Sequence, residues 1–153
     1  VVKTQEMMRI FKEILQKNIP VHEVCAQIRY NMQYPLRLQL LHYLFGIARA
    51  DRSVSQSEII ILEQITHYLG ISANDFESIK AMFYKSTESH YKILEIEKNV
   101  TDEEVKKAYR RMAVKYHPDK VAHLGEEFQK AAKEKFQKVQ EAYDKIKNER
   151  GMN

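Results

Sequence analysis

The chain has 153 residues, 44% of them hydrophobic and 30% charged, with 25 Lys and Arg against 21 Asp and Glu for a net charge of +4. That size and balance support one modest core or two small ones, and exclude a disordered, collagen-like or disulfide-built chain. The charge is also too mild and too even for a nucleic-acid tail. Residues 1–86 carry 10 Lys and Arg against 8 Asp and Glu, residues 87–153 carry 15 against 13, and each part is therefore +2.

What differs between the parts is charge density, with 28 charged residues in the last 67 positions and 18 in the first 86. This shift predicts two domains, 1–86 and 87–153. The longest apolar run, Ile59 to Leu62, is far short of the roughly 18 residues of a membrane span, and no secretory signal opens the chain. A soluble, cytoplasmic segment is expected, and the start at Val1 leaves room for a membrane anchor upstream.

Apolar residues recur at helical spacing almost throughout. Met7, Phe11, Ile14 and Leu15 form a first stripe, Val21, Val24, Cys25 and Ile28 a second, and Leu40, Leu41, Leu44, Phe45 and Ala48 a third, with Pro20 and Pro35 between them as helix starters. Cys25 is the single cysteine, and on such a stripe it reads as a small buried hydrophobe in a reducing compartment. Ser55-Gln56-Ser57-Glu58 has capping-box spacing ahead of Ile59, Leu62, Thr66 and Leu69, and Gly70 marks the stop. A further helix from about Ser72 carries Phe76, Ile79 and Phe83. Nothing alternates as a strand, so the expected class is all-α.

The polar interval from Tyr84 to Ser89 breaks the pattern and is read as the domain boundary. Tyr91, Ile93 and Leu94 make a short helical face. Thr101-Asp102-Glu103-Glu104 is a second capping box with acidic residues at the positive end of the helix dipole. Behind it, Val105, Ala108, Tyr109, Met112, Ala113 and Tyr116 form one side of a helix, while Lys107, Arg110, Arg111 and Lys115 project to the other with Lys106 at its margin. A long last helix from about Glu126 carries Phe128, Ala132, Phe136, Val139, Tyr143 and Ile146, and is expected to pair antiparallel with the first.

Between these helices lies His117-Pro118-Asp119. Pro118 disfavours helical geometry at His117 and lacks an amide donor, so the helix must stop and the chain must turn. Alone, such a tripeptide reads as a helix stop, and a basic helix face reads as solvated surface. A metal site from His117, Asp119 and His123 is a rival reading that lacks an evident fourth ligand. Nucleic-acid binding by the basic face finds no aromatic stacking platform.

The segment from His90 to Ile146 resembles a J-domain, the DnaJ-type co-chaperone module. The resemblance is carried by Tyr91-x-x-Leu94, the acidic opening of the basic helix, the run Lys106-Lys107-Ala108-Tyr109-Arg110-Arg111-x-Ala113-x-x-Tyr116-His117-Pro118-Asp119-Lys120, and Phe136-x-x-Val139-x-x-Ala142-Tyr143, in order and at the expected spacing. It covers roughly residues 88 to 147. The resemblance implies docking on a DnaK-type heat-shock chaperone and stimulation of that partner's ATP hydrolysis, with no chemistry performed by the J-domain itself and no cofactor. Lys106, Arg110 and Arg111 would meet an acidic surface on the chaperone, with Tyr109 at the edge of the contact. His117, Pro118 and Asp119, with Lys120 beside them, would bias the chaperone toward its hydrolysing state. The stretch Val121 to Glu134 is longer than in the shortest J-domains, which leaves the register of residues 121–130 open. No Gly/Phe-rich linker or paired Cys-x-x-Cys motif follows within the 153 residues, so client specificity is expected from the first domain.

That first domain, over residues 44 to 76, is similar to the TerB-like helical domain, whose signature is an Ala-Asp-Gly turn followed by an acidic residue opening the next helix. Ala50, Asp51 and Glu58 match, and Arg52 stands where the glycine would be. A TerB-like domain ahead of a J-domain is the arrangement of the membrane-anchored DnaJ-like protein A group, and the chain resembles its cytoplasmic part. Asp51 and Glu58 are weak candidate metal ligands, with Ser53 and Ser55 between them. A calcium loop, however, needs its glutamate about eleven positions after the first aspartate and a central glycine. Glu58 comes seven positions after Asp51, and the capping box already accounts for it. His42 and His67 read as packing or surface histidines. The leading expectation is an adaptor whose first domain binds a partner, a client or a second copy. The alternative is a metal-binding or enzymatic first domain carrying an accessory J-domain, for which no nucleophile–base pair or glycine-rich phosphate cradle is found.

Overall fold

A computed structural model of the chain describes residues 20–49, 55–84, 88–123 and 125–152. The stripe at Met7 to Leu15 and the turn residues Asp51 and Ser53 lie outside these residues, as does part of the 84–89 interval. All regular structure among the described residues is helical: α1 (Val21–Asn31), α2 (Tyr34–Arg49), α3 (Gln56–Tyr68), α4 (Ala73–Phe83), α5 (Ser89–Ile93), α6 (Asp102–Lys115), a 3-10 turn (Pro118–Val121) and α7 (Glu126–Arg150).

The helix ends follow local chemistry. Ser55 caps α3 as a full box: its hydroxyl accepts from the Glu58 amide at 3.2 Å, and its own amide donates to the Glu58 carboxylate at 2.6 Å. Thr101 and Glu104 repeat the arrangement at α6, at 3.3 and 2.8 Å. Each box satisfies two amides that the first turn leaves without helical partners. Gly70 stops α3 with φ +64, a backbone conformation that strains any side chain, and a Cβ there would also push aside the Arg29 guanidinium 2.7 Å away.

The faces that become core differ somewhat from the predicted stripes. In α2 the fully buried apolar side chains are Leu38, Leu41 and Phe45, while Leu40, Leu44 and Ala48 pack at the margin. In α1 Cys25 is buried as expected, but Val21 and Val24 remain 44% and 39% exposed. α1 meets the rest of the described bundle mainly along the edge that carries Cys25, on α3, and the Val21 and Val24 side of its stripe stays exposed.

α6 and α7 pack antiparallel, as the sequence predicts. Arg150 at the end of α7 reaches Asp102 at the start of α6 at 3.1 Å, and Tyr109 stacks on Tyr143 with centroids 4.3 Å apart. Val105, Ala108, Met112, Val139, Ala142 and Ile146 close the space between them and α5. This core is continuous with that of α1 to α4, since Phe45, Ile79 and Met82 belong to the same buried cluster as Leu94, Met112 and Val139.

Candidate functional site

α6 presents two unlike sides, as its spacing dictates. Val105, Ala108 and Met112 are fully buried, whereas Lys107, Arg110 and Arg111 are exposed and Lys106 is half-buried. Lys106 lies 3.8 Å from Glu103 one turn earlier, a surface pair of little energetic weight. Tyr109 is half-buried by its stack on Tyr143. Arg111 donates to the Leu94 carbonyl at 3.2 Å and lies 3.9 Å from the Glu95 carboxylate, so this cation also ties α6 to the loop behind α5.

Lys115 departs from the expectation that it projects outward with Arg110 and Arg111. Its ammonium pairs with Asp75 of α4 and, at 2.9 Å, with Glu95. The helix turns its last cation inward because two carboxylates converge there, and a buried carboxylate needs a partner more than an exposed face needs another charge.

Beyond Lys115 the chain turns as Pro118 requires. His117 is extended (φ −61, ψ 130), Pro118 opens the 3-10 turn, and the Lys120 amide donates to the His117 carbonyl at 3.1 Å. The His117 Nδ1 accepts from the Asp119 amide at 3.3 Å and lies 3.4 Å from the Asp119 carboxylate. The imidazole meets the Phe136 ring edge-on at 5.6 Å. The amide bond and the Phe136 ring orient the imidazole, while 50% of His117 and 87% of Asp119 stay exposed. Val121, the inward residue of the turn, is buried, and Lys120 is exposed.

His117, Asp119 and His123 are not brought together as a metal site. No group of three or more His, Cys, Asp or Glu side chains is placed to hold an ion among the described residues. Glu58 is engaged in its capping box, where hydrogen bonds from the Ser55 amide and hydroxyl hold its carboxyl below the usual range, and Asp51 lies outside the described residues.

A polar seam between α4 and the α6–α7 pair was not anticipated. Asp75 is 2% exposed, and its carboxylate accepts from Tyr34 at 2.6 Å, Ser72 at 2.7 Å and Tyr116 at 3.2 Å in addition to Lys115. Burial pushes its carboxyl up, but the bonds from Lys115, Tyr34 and Ser72 outweigh this and hold it below the ordinary value. Lys115 is correspondingly raised: its two carboxylate partners overcome the effect of burial. Lys135 of α7 is buried with its ammonium over the Tyr116 ring at 4.7 Å, and burial lowers it to about 7. His42 is buried against Phe83 and lowered to about 3 by burial and by Lys135, so it is a neutral packing histidine. Asp75 stands three positions after Ser72, and Lys135 lies in a highly charged helix. Neither carried a signal in its spacing.

The described residues thus form a helical bundle joined to a helical hairpin with an exposed His-Pro-Asp turn. The comparisons give the same two parts. Residues 2–81 match the family of tellurite resistance protein TerB, residues 89–151 match the DnaJ domain, and the chain belongs to the TerB family with a DnaJ domain behind it. It is homologous over most of its length to co-chaperone protein DjlA: 29% identical to that of Photobacterium profundum over 96% of this chain and 63% of the relative, and 30% identical to that of Vibrio vulnificus over 92% and 62%. The chain thus spans somewhat less than two thirds of these curated relatives. The DnaJ part alone is 54% identical to chaperone protein DnaJ of Ehrlichia ruminantium over 59 residues, 39% of this chain and 14% of that protein. No solved structure matches. No helix among the described residues is long and apolar enough to cross a membrane.

Proposed function

We propose that the chain docks on a DnaK-type heat-shock chaperone through the outer face of α6 and the His117-Pro118-Asp119 turn, and stimulates that chaperone's ATP hydrolysis. The observation that carries this reading is the exposed, internally braced His117–Asp119 pair standing directly beyond a row of outward cations. Lys106, Arg110 and Arg111 meet an acidic surface with Tyr109 at its rim, which speeds encounter and makes it salt-sensitive. His117, Pro118, Asp119 and Lys120 act on the chaperone's conformational equilibrium, and can shift it only through differential contact with its two states. The division of labour falls between a domain over residues 1–86, which binds a partner, a client or a second copy, and a J-domain over 87–153, working in the cytoplasm.

Single-turnover ATP hydrolysis by a DnaK-type chaperone tests the proposal. The chain is expected to accelerate it, and His117→Gln to abolish the acceleration with the helical circular dichroism unchanged. An unaltered rate with the wild-type chain would sink the reading. Arg110→Glu is the cleaner probe of the basic face, because Arg111→Glu would also set a carboxylate beside Glu95. It should weaken chaperone binding and flatten its salt dependence, whereas identical salt curves would argue against steering.

A further inference from the structure

The His117-Pro118-Asp119 turn is held on both of its flanks by the other part of the molecule. Immediately before it, Lys115 and Tyr116 both end on the carboxylate of Asp75 in α4. The 3-10 turn that Pro118 opens packs on α2, with Val121 at its far end as its buried residue. Between these anchors His117 and Asp119 point outward, 50% and 87% exposed. The carboxylate is itself pre-oriented from its own side by the Tyr34 and Ser72 hydroxyls, and Tyr34 also accepts from the Ser72 amide at 3.1 Å. Asp75 is therefore placed by two helices of the first domain and in turn places the last two residues before the turn.

On these grounds we infer that Asp75 is a positioning residue for the His117-Pro118-Asp119 turn, so that the first domain sets the aim of the J-domain's active loop. The inference rests on the function proposed above. Two consequences follow from the geometry. The charge of Lys115 is committed to Asp75 and Glu95, so the cationic face offered to a partner consists of Lys106, Lys107, Arg110 and Arg111. The loop, in turn, responds to whatever displaces α4 or α2, because a linkage of this kind is reciprocal.

The test is Asp75→Asn in the full chain, which keeps the side chain's size but removes the charge that holds Lys115 and replaces one of the two accepting oxygens with an amide donor. In the free protein the backbone amide resonances of His117, Asp119 and Lys120 are expected to move. With a DnaK-type chaperone the maximal stimulation of ATP hydrolysis is expected to fall about fivefold or more, in line with ordinary intersite coupling. The concentration giving half of that maximum should stay within about twofold, because the outward cations that govern encounter are untouched. A folded variant with wild-type resonances at the turn overturns the inference. So does a loss of affinity with the maximal stimulation retained, which would make Asp75 part of the scaffold only. If Asp75→Asn does not fold, Tyr34→Phe removes one hydroxyl donor from the carboxylate, and the same split between maximum and half-maximum is expected at about twofold. Unmoved turn resonances in that variant overturn the inference equally. A wild-type chain that gives no stimulation defeats the proposed function, and the amide resonances alone then decide the role of Asp75.

Discussion

The two ends of α6 are secured in opposite ways. At its start, Thr101 and Glu104 satisfy each other's backbone amides within three positions of sequence, and both are exposed. At its end, Lys115 and Tyr116 are held by Asp75, forty and more positions away on α4, and Tyr116 and Asp75 are almost fully buried. The first end is a property of the helix. The second is a property of how two parts of the chain meet, so a change there is felt along the whole seam and at the turn that follows it.

The largest break in this contrast is Tyr116→Ala. It removes a buried ring that lies under Lys135 and deletes a hydrogen bond to Asp75. A loss of about 3–5 kcal/mol is expected by urea unfolding, the range for large aromatic truncations in a core. Tyr116→Phe separates the two contributions, since it keeps the ring and removes only the hydroxyl, for about 1 kcal/mol. If the two variants lost equal stability, the ring would contribute nothing and the seam would be held by polar contacts alone.

Lys135 sharpens the same contrast in the other direction. It faces Asp75 of α4, Tyr116 just beyond α6 and His42 of α2, but Lys115 already occupies the carboxylate, and among the described residues Lys135 has no ion-pair partner. Its folded value of about 7 lies below the ordinary 10.5, so between these limits the unfolded chain binds more protons than the folded one. Stability must then rise as pH increases across that window, and the penalty of burying the ammonium is complete below about pH 7. Lys135→Met is expected to stabilise the protein near neutral pH by about 1–4 kcal/mol, as apolar replacement of a poorly compensated buried charge does. The gain should shrink between about pH 7 and about pH 9, below the range in which Tyr116 would ionise in the unfolded chain. A destabilised Lys135→Met, or a gain independent of pH, would show that the ammonium is better compensated than its surroundings indicate.

How much of this was legible in the sequence depended on how far the cause of each feature lies from its effect. The Ser55 and Thr101 boxes, the Gly70 stop, the start of α7 at Glu126 and the proline corner at His117 are each produced by residues within a few positions. All of them read directly from spacing. The J-domain and TerB resemblances rest on such local runs and are matched by the comparisons over residues 89–151 and 2–81. Lys115 was misplaced because helical periodicity assigns it a direction but cannot see Asp75 and Glu95 converging on that direction. Val21 and Val24 share a stripe with Cys25 yet stay exposed, because periodicity reports which residues share a face, not how much of that face a neighbour covers. Asp75 and Lys135 were missed for a related reason. An aspartate at the third position of a helix and a lysine in a charged helix are both ordinary surface residues until a second segment buries them.

The start of α6 gives the smallest effect and the control for all of the above. Thr101→Ala removes the hydroxyl that accepts from the Glu104 amide, and about 1 kcal/mol should be lost. Ser55→Ala removes the same element from α3, where the geometry is nearly identical, and should lose a similar amount. Because both caps are local, neither change has a route to the seam. The His117 and Asp119 amide resonances should therefore stay in place in both variants while the melting temperature falls. A shift of those resonances in Thr101→Ala as large as that in Asp75→Asn would mean that any destabilisation of α6 disturbs the turn, and the distinction between its two ends would collapse.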